Sequence, residues 1–401
     1  MTCKTGLIRS FLSIGIATLG LGGAAVHAAT PSIELIGKVA IDGDRRDRSG
    51  DAKPLEDGSP SDQFGGLSGI EYTGTGNRFL LLADRGAGDG KVSYQCRYHE
   101  ADLVLDPATG KIAFDLKTTR MLSTLTGEPL VGSIAAHEKH LNATIPHQPW
   151  TAFDPESVRM LPDKSLLISD EYGPHIVIVD ESGRISNEFT VPDKFRLRSP
   201  ENGTFSKGVY SNRGLEGIAV TPSGSRMIAI PQSPLIQDAV IENGYCMGLN
   251  CRCVVFDGNH NCIREVVYQL DDLTSGTSEI LAVDEDRFLV LERDGKAGSE
   301  AKTKKIFLID TTEATDVTDI ESLPKIELPA SVTPARKSLF IDLLDDKFGV
   351  GGEQAHEKPE GLCWGPRLAD GRRTLWVCCD NDFEKSIQTE IYCFAIDGLD
   401  R

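Results

Sequence analysis

Basic residues are scarce in this chain: its 401 residues hold 42 Lys and Arg against 60 Asp and Glu, a formal net charge of −18. Such a surface repels a phosphate backbone, which excludes nucleic acid as a partner class. It also means that an anionic small molecule must meet a local cation, either a basic side chain or a metal. Helical periodicity is equally scarce, and beyond the N-terminal stretch no segment approaches the ~20 apolar residues of a membrane helix. Familiar catalytic signatures are missing as well. GLSGI around Ser68 lacks the final Gly of a nucleophile elbow. HEKH, His137 to His140, spaces its histidines three apart instead of four and reads as a loop or surface segment. GDGKVS near Lys91 lacks the upstream Gly of a phosphate loop. A serine hydrolase and a nucleotide enzyme are therefore disfavoured.

What is present begins with an export signal. Lys4 and Arg9 precede an apolar run from Phe11 to about Val26, and Val26-His27-Ala28 offers small residues at the cleavage positions. The expectation is a signal peptide over 1–28, a single domain over 29–401, and a periplasmic or secreted location. The alternative, an uncleaved membrane anchor, suits a longer run unbroken by Gly. Of the ten cysteines, Cys3 falls in the leader. The remaining nine, in an oxidising compartment, predict some disulfides and a free thiol. Cys363, Cys378, Cys379 and Cys393 fall on nearby strands and are expected to form at least one bridge. Cys246, Cys251, Cys253 and Cys262 lack the paired knuckles of a zinc site.

From Ile33 onward, apolar runs of four to six residues alternate with Gly, Pro, Asp and Asn, the pattern of short strands joined by turns. One phrase recurs: SGIEYTGTGNRFLLLADRG from Ser68, ESVRMLPDKSLLISDEYG from Glu156, EGIAVTPSGSRMIAIPQSP from Glu216, EILAVDEDRFLVLERDG from Glu279 and EGLCWGPRLADGRRTLWVCCDNDF from Glu360. Each copy is an apolar strand, a polar turn with hairpin chemistry and a second apolar strand with a charged end. Such radial repetition predicts an all-β chain folded as a β-propeller. Five copies are visible, and DLVLDPATGKIAFDL could complete another. Six blades are expected, with five or seven as alternatives, and a pair of β-sandwich domains as the competing architecture.

In a propeller the first strands line a central channel, so repeated acids at their starts converge. Glu156, Glu216, Glu279 and Glu360 hold that place, with Ser68 and nearby Glu71 in the first copy. The ends of the second strands add Asp84, Asp170, Glu171, Glu292, Asp380 and Asp382, with Arg85 and Arg293 beside them. Carboxylates crowded on one axis require a cation, basic partners or raised pKa values, and oxygen-rich sites suit calcium or magnesium. The bland reading makes each Glu a turn cap. His147 and His175 are candidate acids or bases near the repeats.

The phrases DPESVRMLPDKSLLISDEYGPHI, NRGLEGIAVTPSGSRMIAIPQSPLIQD, FLVLERDGKAG and KPEGLCWGPRLADGRRTLWVCCDNDF closely resemble the bacterial "esterase-like activity of phytase" family of phytase-like domain proteins, from about Phe64 to Phe394. The resemblance implies an exported domain with ester or phosphoester hydrolysis as its class of chemistry. Residues carried over by motif are Asp84 and Arg85; Glu156, Asp170, Glu171 and Tyr172; Arg213, Glu216 and Gln232; Glu292, Arg293 and Asp294; Lys358 and Glu360; and Asp380, Asn381 and Asp382. The acidic positions are also similar, at the level of fold, to those of six-bladed sugar-lactone hydrolases that hold a divalent ion.

These readings combine into an expected metal-assisted hydrolase of phosphoesters or esters. Its divalent ion, calcium by preference, would be held by Glu156, Glu216, Glu360, Asp380, Asp84 and Glu292. Asp170 or Glu171 would act as general base, and Arg85, Arg213, Arg293 and Lys358 would neutralise a small anionic or ester substrate. A monomer without a membrane span after leader removal is expected. The rival readings are a non-catalytic, calcium-stabilised propeller that binds a ligand or partner, and a lactonase-like hydrolase.

Overall fold

The computed structural model describes residues 1–2, 31–141, 150–197, 206–242 and 245–399. All but the first two residues of the expected leader, and His147, lie outside the described residues. Strands dominate, in five antiparallel four-stranded units. The N-terminal strand β1 (Ser32–Ile41) precedes the first unit, formed by β2 (Leu67–Tyr72), β3 (Arg78–Ala83), β4 (Arg97–Asp106) and β5 (Lys111–Met121). A short helix, α1 (Ile134–Leu141), leads to the second unit of β6 (Pro155–Met160), β7 (Leu166–Asp170), β8 (Ile176–Val179) and β9 (Ile185–Glu188). The third begins with β10 (Leu215–Val220) and β11 (Arg226–Pro231). It then carries an inserted hairpin of β12 (Val240–Glu242) and β13 (Tyr245–Met247), and finishes with β14 (Asn250–Asp257) and β15 (Cys262–Gln269). The fourth contains β16 (Gly276–Ala282), β17 (Arg287–Arg293), β18 (Lys304–Asp310) and β19 (Arg336–Asp342). The last contains β20 (Lys358–Trp364), β21 (Arg373–Asp380) and β22 (Thr389–Asp397).

Closure comes from the N-terminus. β1 pairs antiparallel with β22, from Ser32 opposite Asp397 to Ile41 opposite Thr389, and so supplies the fourth strand of the last unit. A single parallel bridge, Lys38 to Lys111, joins this unit to the first. The first strands touch in the ring order β2–β6–β10–β16–β20 and back to β2, a propeller arrangement that a pair of sandwiches would not give. DLVLDPATGKIAFDL forms no sixth unit: it supplies β4 and β5, the outer hairpin of the first.

Alternation along the inner strands explains why whole runs such as RFLLLA are apolar: both faces are covered. Phe79 and Leu81 pack with Trp376 and Cys378 of the last unit, whereas Leu80 and Leu82 pack with Val158 and Ile168 of the second. The same holds around the ring, with an apolar layer between the second and third, third and fourth, and fourth and fifth units. The cysteines belong to these layers, except Cys246, which lines the central cavity. All nine in the described residues are free thiols, so the expected disulfide is not present. Register is the reason: Trp376 separates Cys363 from Cys393 as the partner of both, and Cys378 lies between Gly361 and Ile391. They act as small apolar side chains. Among the described residues no helix is long and apolar enough to cross a membrane. HEKH falls on α1 and is not a loop, with His137 buried against Tyr172.

Candidate functional site

Each first strand carries one extra residue near its start. The pairing of β10 with β11 steps over Glu216, that of β20 with β21 over Glu360, that of β2 with β3 over Ser68, and that of β16 with β17 over Ser278. In β6 the register shifts between Pro155 and Val158, which puts Glu156 in the matching place. Such bulges bend a strand and re-aim the extra side chain. All five bulge residues, Ser68, Glu156, Glu216, Ser278 and Glu360, line one cavity of about 730 Å³. A second ring comes from the second strands, from the residue that follows the one paired just before each bulge: Asp84, Glu171, Gln232, Arg293 and Asp380. It lines the same cavity.

The bulge phase corrects three readings of the sequence. Glu279 is one residue beyond the bulge, so it is not the counterpart of Glu216. It is fully buried, accepting hydrogen bonds from Ser157 Oγ at 2.8 Å and pairing with Arg159 at 2.8 Å. Asp170 is one residue short of the second ring and cannot serve as the base in the cavity. Its oxygens accept the N–H groups of Asp154, Tyr172 and Gly173 at 2.8, 3.3 and 2.9 Å. Glu292 is likewise one residue short and does not line the cavity. It is buried against the Tyr268 hydroxyl at 2.7 Å and Lys337 Nζ at 2.7 Å. His175 also lies off the cavity, stacked on Trp150 and paired with Glu188 at 2.6 Å.

The remaining predicted residues, Asp84, Arg85, Glu156, Glu171, Arg213, Glu216, Arg293, Lys358, Glu360 and Asp380, all line the cavity. Asp154 was missed, although D-P-E at 154–156 matches K-P-E at 358–360. It accepts from Arg85 twice, from the backbone N–H at 2.9 Å and from Nη1 at 2.6 Å. Ser278, the fourth unit's bulge residue, was missed as well and accepts from Arg293 Nε at 2.9 Å. Close packing explains the glycines that follow the bulges: a Cβ on Gly217 would lie 2.5 Å from the backbone N of Ile280 in the next unit.

Three of the four cations near the floor are already engaged. Arg85 Nη1 also reaches Glu171 Oε2 at 3.2 Å; Arg293 pairs with Glu360; Lys358 pairs with Asp382 and, at 3.3 Å, with Asp380. Arg213 makes no ion pair among the described residues. It donates to Gln232 Oε1 at 2.6 Å, and Gln232 Nε2 donates to Glu216 Oε1 at 2.8 Å. This relay leaves Glu216 Oε2 buried without a partner, and Glu171 Oε1 is in the same condition. Glu156, 5% exposed, accepts no hydrogen bond among the described residues.

Protonation follows from this crowding. Burial, then the charges of Asp154, Glu216, Glu171 and Glu360, push the Glu156 carboxyl well above its ordinary range. Burial and Glu216 do the same to Glu171 against the pull of Arg85 and Arg213. Glu216 itself is raised to about 8 by burial and Glu360, and Asp380 to about 7 by burial against the pull of Lys358. Asp84 is raised by burial and by Asp380. Asp154, Glu156 and Glu171 offer oxygens within 4.8 Å of one another, as do Asp84, Asp380 and Asp382. In the second group Lys358 holds Asp380 and Asp382. The first retains bare carboxylate oxygens, a donor set that fits a hard divalent cation.

An all-β ring with an acid-floored central cavity and a few engaged cations is thus the framework on which the comparisons fall. The chain belongs to the phytase-like family described as esterase-like activity of phytase, whose pattern matches residues 62–383. An uncharacterized secreted protein of Arthroderma benhamiae is 22% identical over 275 residues, covering 55% of this chain and 53% of that protein. The chain therefore spans about half the length of that relative. Among solved structures, the PQQ-bound aldose sugar dehydrogenase of Streptomyces coelicolor shares 13% identity, with 92% of this chain and 99% of that chain covered at a TM-score of 0.38. Inactive virginiamycin B lyase of Staphylococcus aureus with quinupristin shares 10%, covering 91% and 99% at 0.33. The propeller arrangement rests on the strand order and not on these distant likenesses.

Proposed function

We propose that the protein is an exported hydrolase of phosphoester or ester bonds whose acidic cavity floor works with a divalent cation, calcium being the best match to an all-oxygen donor set. The observation that carries this reading is the pair of bare, buried oxygens on Glu171 and Glu216, facing one cavity with the unbonded carboxyl of Glu156. A cation there would polarise the scissile ester's oxygen and make water a better nucleophile. Glu156 and Glu216 would hold it, with Asp154 fixed beside them by Arg85. Asp84, Glu360 and Asp380 complete the acidic wall, each held by a backbone N–H or a neighbouring side chain. Glu216, raised to about 8 by burial and Glu360 when no ion is present, would release its proton on binding the cation. Glu171, next to the same oxygens, takes the role of base that Asp170 cannot fill. Arg213 is the cation left to meet an anionic substrate group. Export agrees with the leader-like N-terminus and with the secreted relative.

One observation favours a non-catalytic, calcium-stiffened domain: the acids of the wall come from four different units, so a bound ion would cross-link the ring. A substrate panel separates the two readings. Purified protein is assayed on phosphomonoester, phosphodiester, aryl-ester and lactone substrates, in chelator and with calcium, with the fold followed by circular dichroism. The hydrolase reading expects activity that vanishes in chelator and returns with the ion while the fold persists. No turnover with any divalent ion, in a folded protein, would overturn it.

A further inference from the structure

The cavity walls differ sharply from its floor. Counting every charged side chain that lines it as ionised, the state a bound cation favours, nine acidic groups stand against six basic ones, a net of −3. Three of those six, Arg85, Arg293 and Lys358, are committed to carboxylates. Arg213 and the exposed rim residues Lys296 and Lys302 make no ion pair among the described residues. Even one bound divalent cation would leave the cavity at −1, so a ligand with many phosphates would enter against the field of the site. A ligand with a single ionised group could be met by Arg213.

Above Arg213 the wall turns apolar. Tyr245 and Met247, from the hairpin inserted after β11, line the cavity together with Leu273. Tyr245 is 62% exposed, and on the same hairpin Val240 and Ile241 are 37% and 42% exposed. Of these, Tyr245 lines the cavity, a large ring left in water at the edge of a polar site, where an amphiphilic ligand would cover it. In the outer ends of the other units no comparable pair of short strands is inserted among the described residues.

From the charge count and this apolar rim, we infer that the site selects a small amphiphilic ester, with one anionic group beside the scissile bond and an aryl or alkyl portion that packs on Tyr245, Met247 and Leu273. The inference rests on the hydrolase reading for its chemistry, but the ligand class is tested by binding alone. Phenylphosphonate, methylphosphonate and inositol hexakisphosphate are titrated calorimetrically into the calcium-loaded protein and into Tyr245→Ala and Tyr245→Phe. Phenylphosphonate should bind about tenfold tighter than methylphosphonate, a factor typical of one aromatic contact. Tyr245→Ala should erase that difference and Tyr245→Phe should keep it. Tightest binding of inositol hexakisphosphate, equal binding of the two phosphonates, or no binding of phenylphosphonate would overturn the assignment. If the binding preference holds and no ester of this class is cleaved, the ligand class stands and the hydrolase reading fails; if esters are cleaved with no such preference, the reverse is true.

Discussion

Glu216 and Glu279 occupy neighbouring units, sit near the start of first strands and share an apolar sequence context, yet they do different things. Glu216 is the extra residue of a bulge and faces the cavity with one bare oxygen. Glu279 follows its unit's bulge by one residue and is closed off by Ser157 and Arg159. Since strand side chains alternate with period two, a one-residue change of phase turns a candidate ligand into a structural pair. The position just past the bulge reads Gly69, Ser157, Gly217, Glu279 and Gly361 around the ring, mostly residues with little or no side chain. The channel is narrow there: a Cβ on Gly361 would lie 2.9 Å from the backbone N of Ile70. Only a tightly bonded group such as Glu279 with Arg159 fills the space that remains.

The contrast breaks most visibly at Arg159. Replacing it with Ala leaves Glu279 buried and unpaired, and the loss should be about 3–5 kcal/mol of stability, read by urea unfolding. A smaller cost, near that of a surface change, would mean that the pair is not the lock described here.

Glutamine substitutions sharpen the comparison. Glu156→Gln and Glu216→Gln should each weaken calcium binding about tenfold or more, because each removes a charged oxygen ligand. In chelator the same changes should raise the melting temperature by relieving repulsion among the remaining carboxylates. In excess calcium they should lower it. Uniform destabilisation in both conditions would instead describe turn-capping residues.

Acidity separates the two glutamates more gently. Burial lifts Glu279 from 4.5 to about 7 despite the pull of Arg159. Its folded form thus holds the proton more tightly than the unfolded chain, so its contribution to stability is complete below pH 4.5 and is lost as pH rises through about 7. Glu279→Gln should flatten that slope in melting curves equally with and without calcium. A slope unchanged by the substitution would place the titration elsewhere. The smallest effect concerns the thiols: all nine cysteines of the described residues should react in denatured, unreduced protein and almost none in the native state, since eight of them are buried.

Much of this was legible in the sequence, because the apolar face-to-face packing of the units forces the same strand–turn–strand phrase at each repeat. The number of units was not, since β4 and β5 read as an independent repeat and the strand that completes the ring comes from the far end of the chain. For the site, Glu156, Glu216 and Glu360 are visible in the sequence, but Glu279, Asp170 and Glu292 lie one residue out of phase with the positions that face the cavity. A bulge changes backbone register without changing the apolar pattern on which repeats are aligned. A cue was nevertheless present: aligned on the apolar residue two places later, Ser68-Gly69-Ile70, Glu216-Gly217-Ile218 and Glu360-Gly361-Leu362 fall in step with Ser278-Glu279-Ile280. The cysteines misled for a different reason, as proximity along strands says nothing of which residues face one another across them.

The most direct test of the bulge-phased site is a pair of calcium-binding isotherms, for Glu216→Gln and Glu279→Gln, measured beside the unsubstituted protein. The account predicts a loss of about tenfold or more for Glu216→Gln and an unchanged affinity for Glu279→Gln. Equal losses in both, or a loss confined to Glu279→Gln, would contradict it.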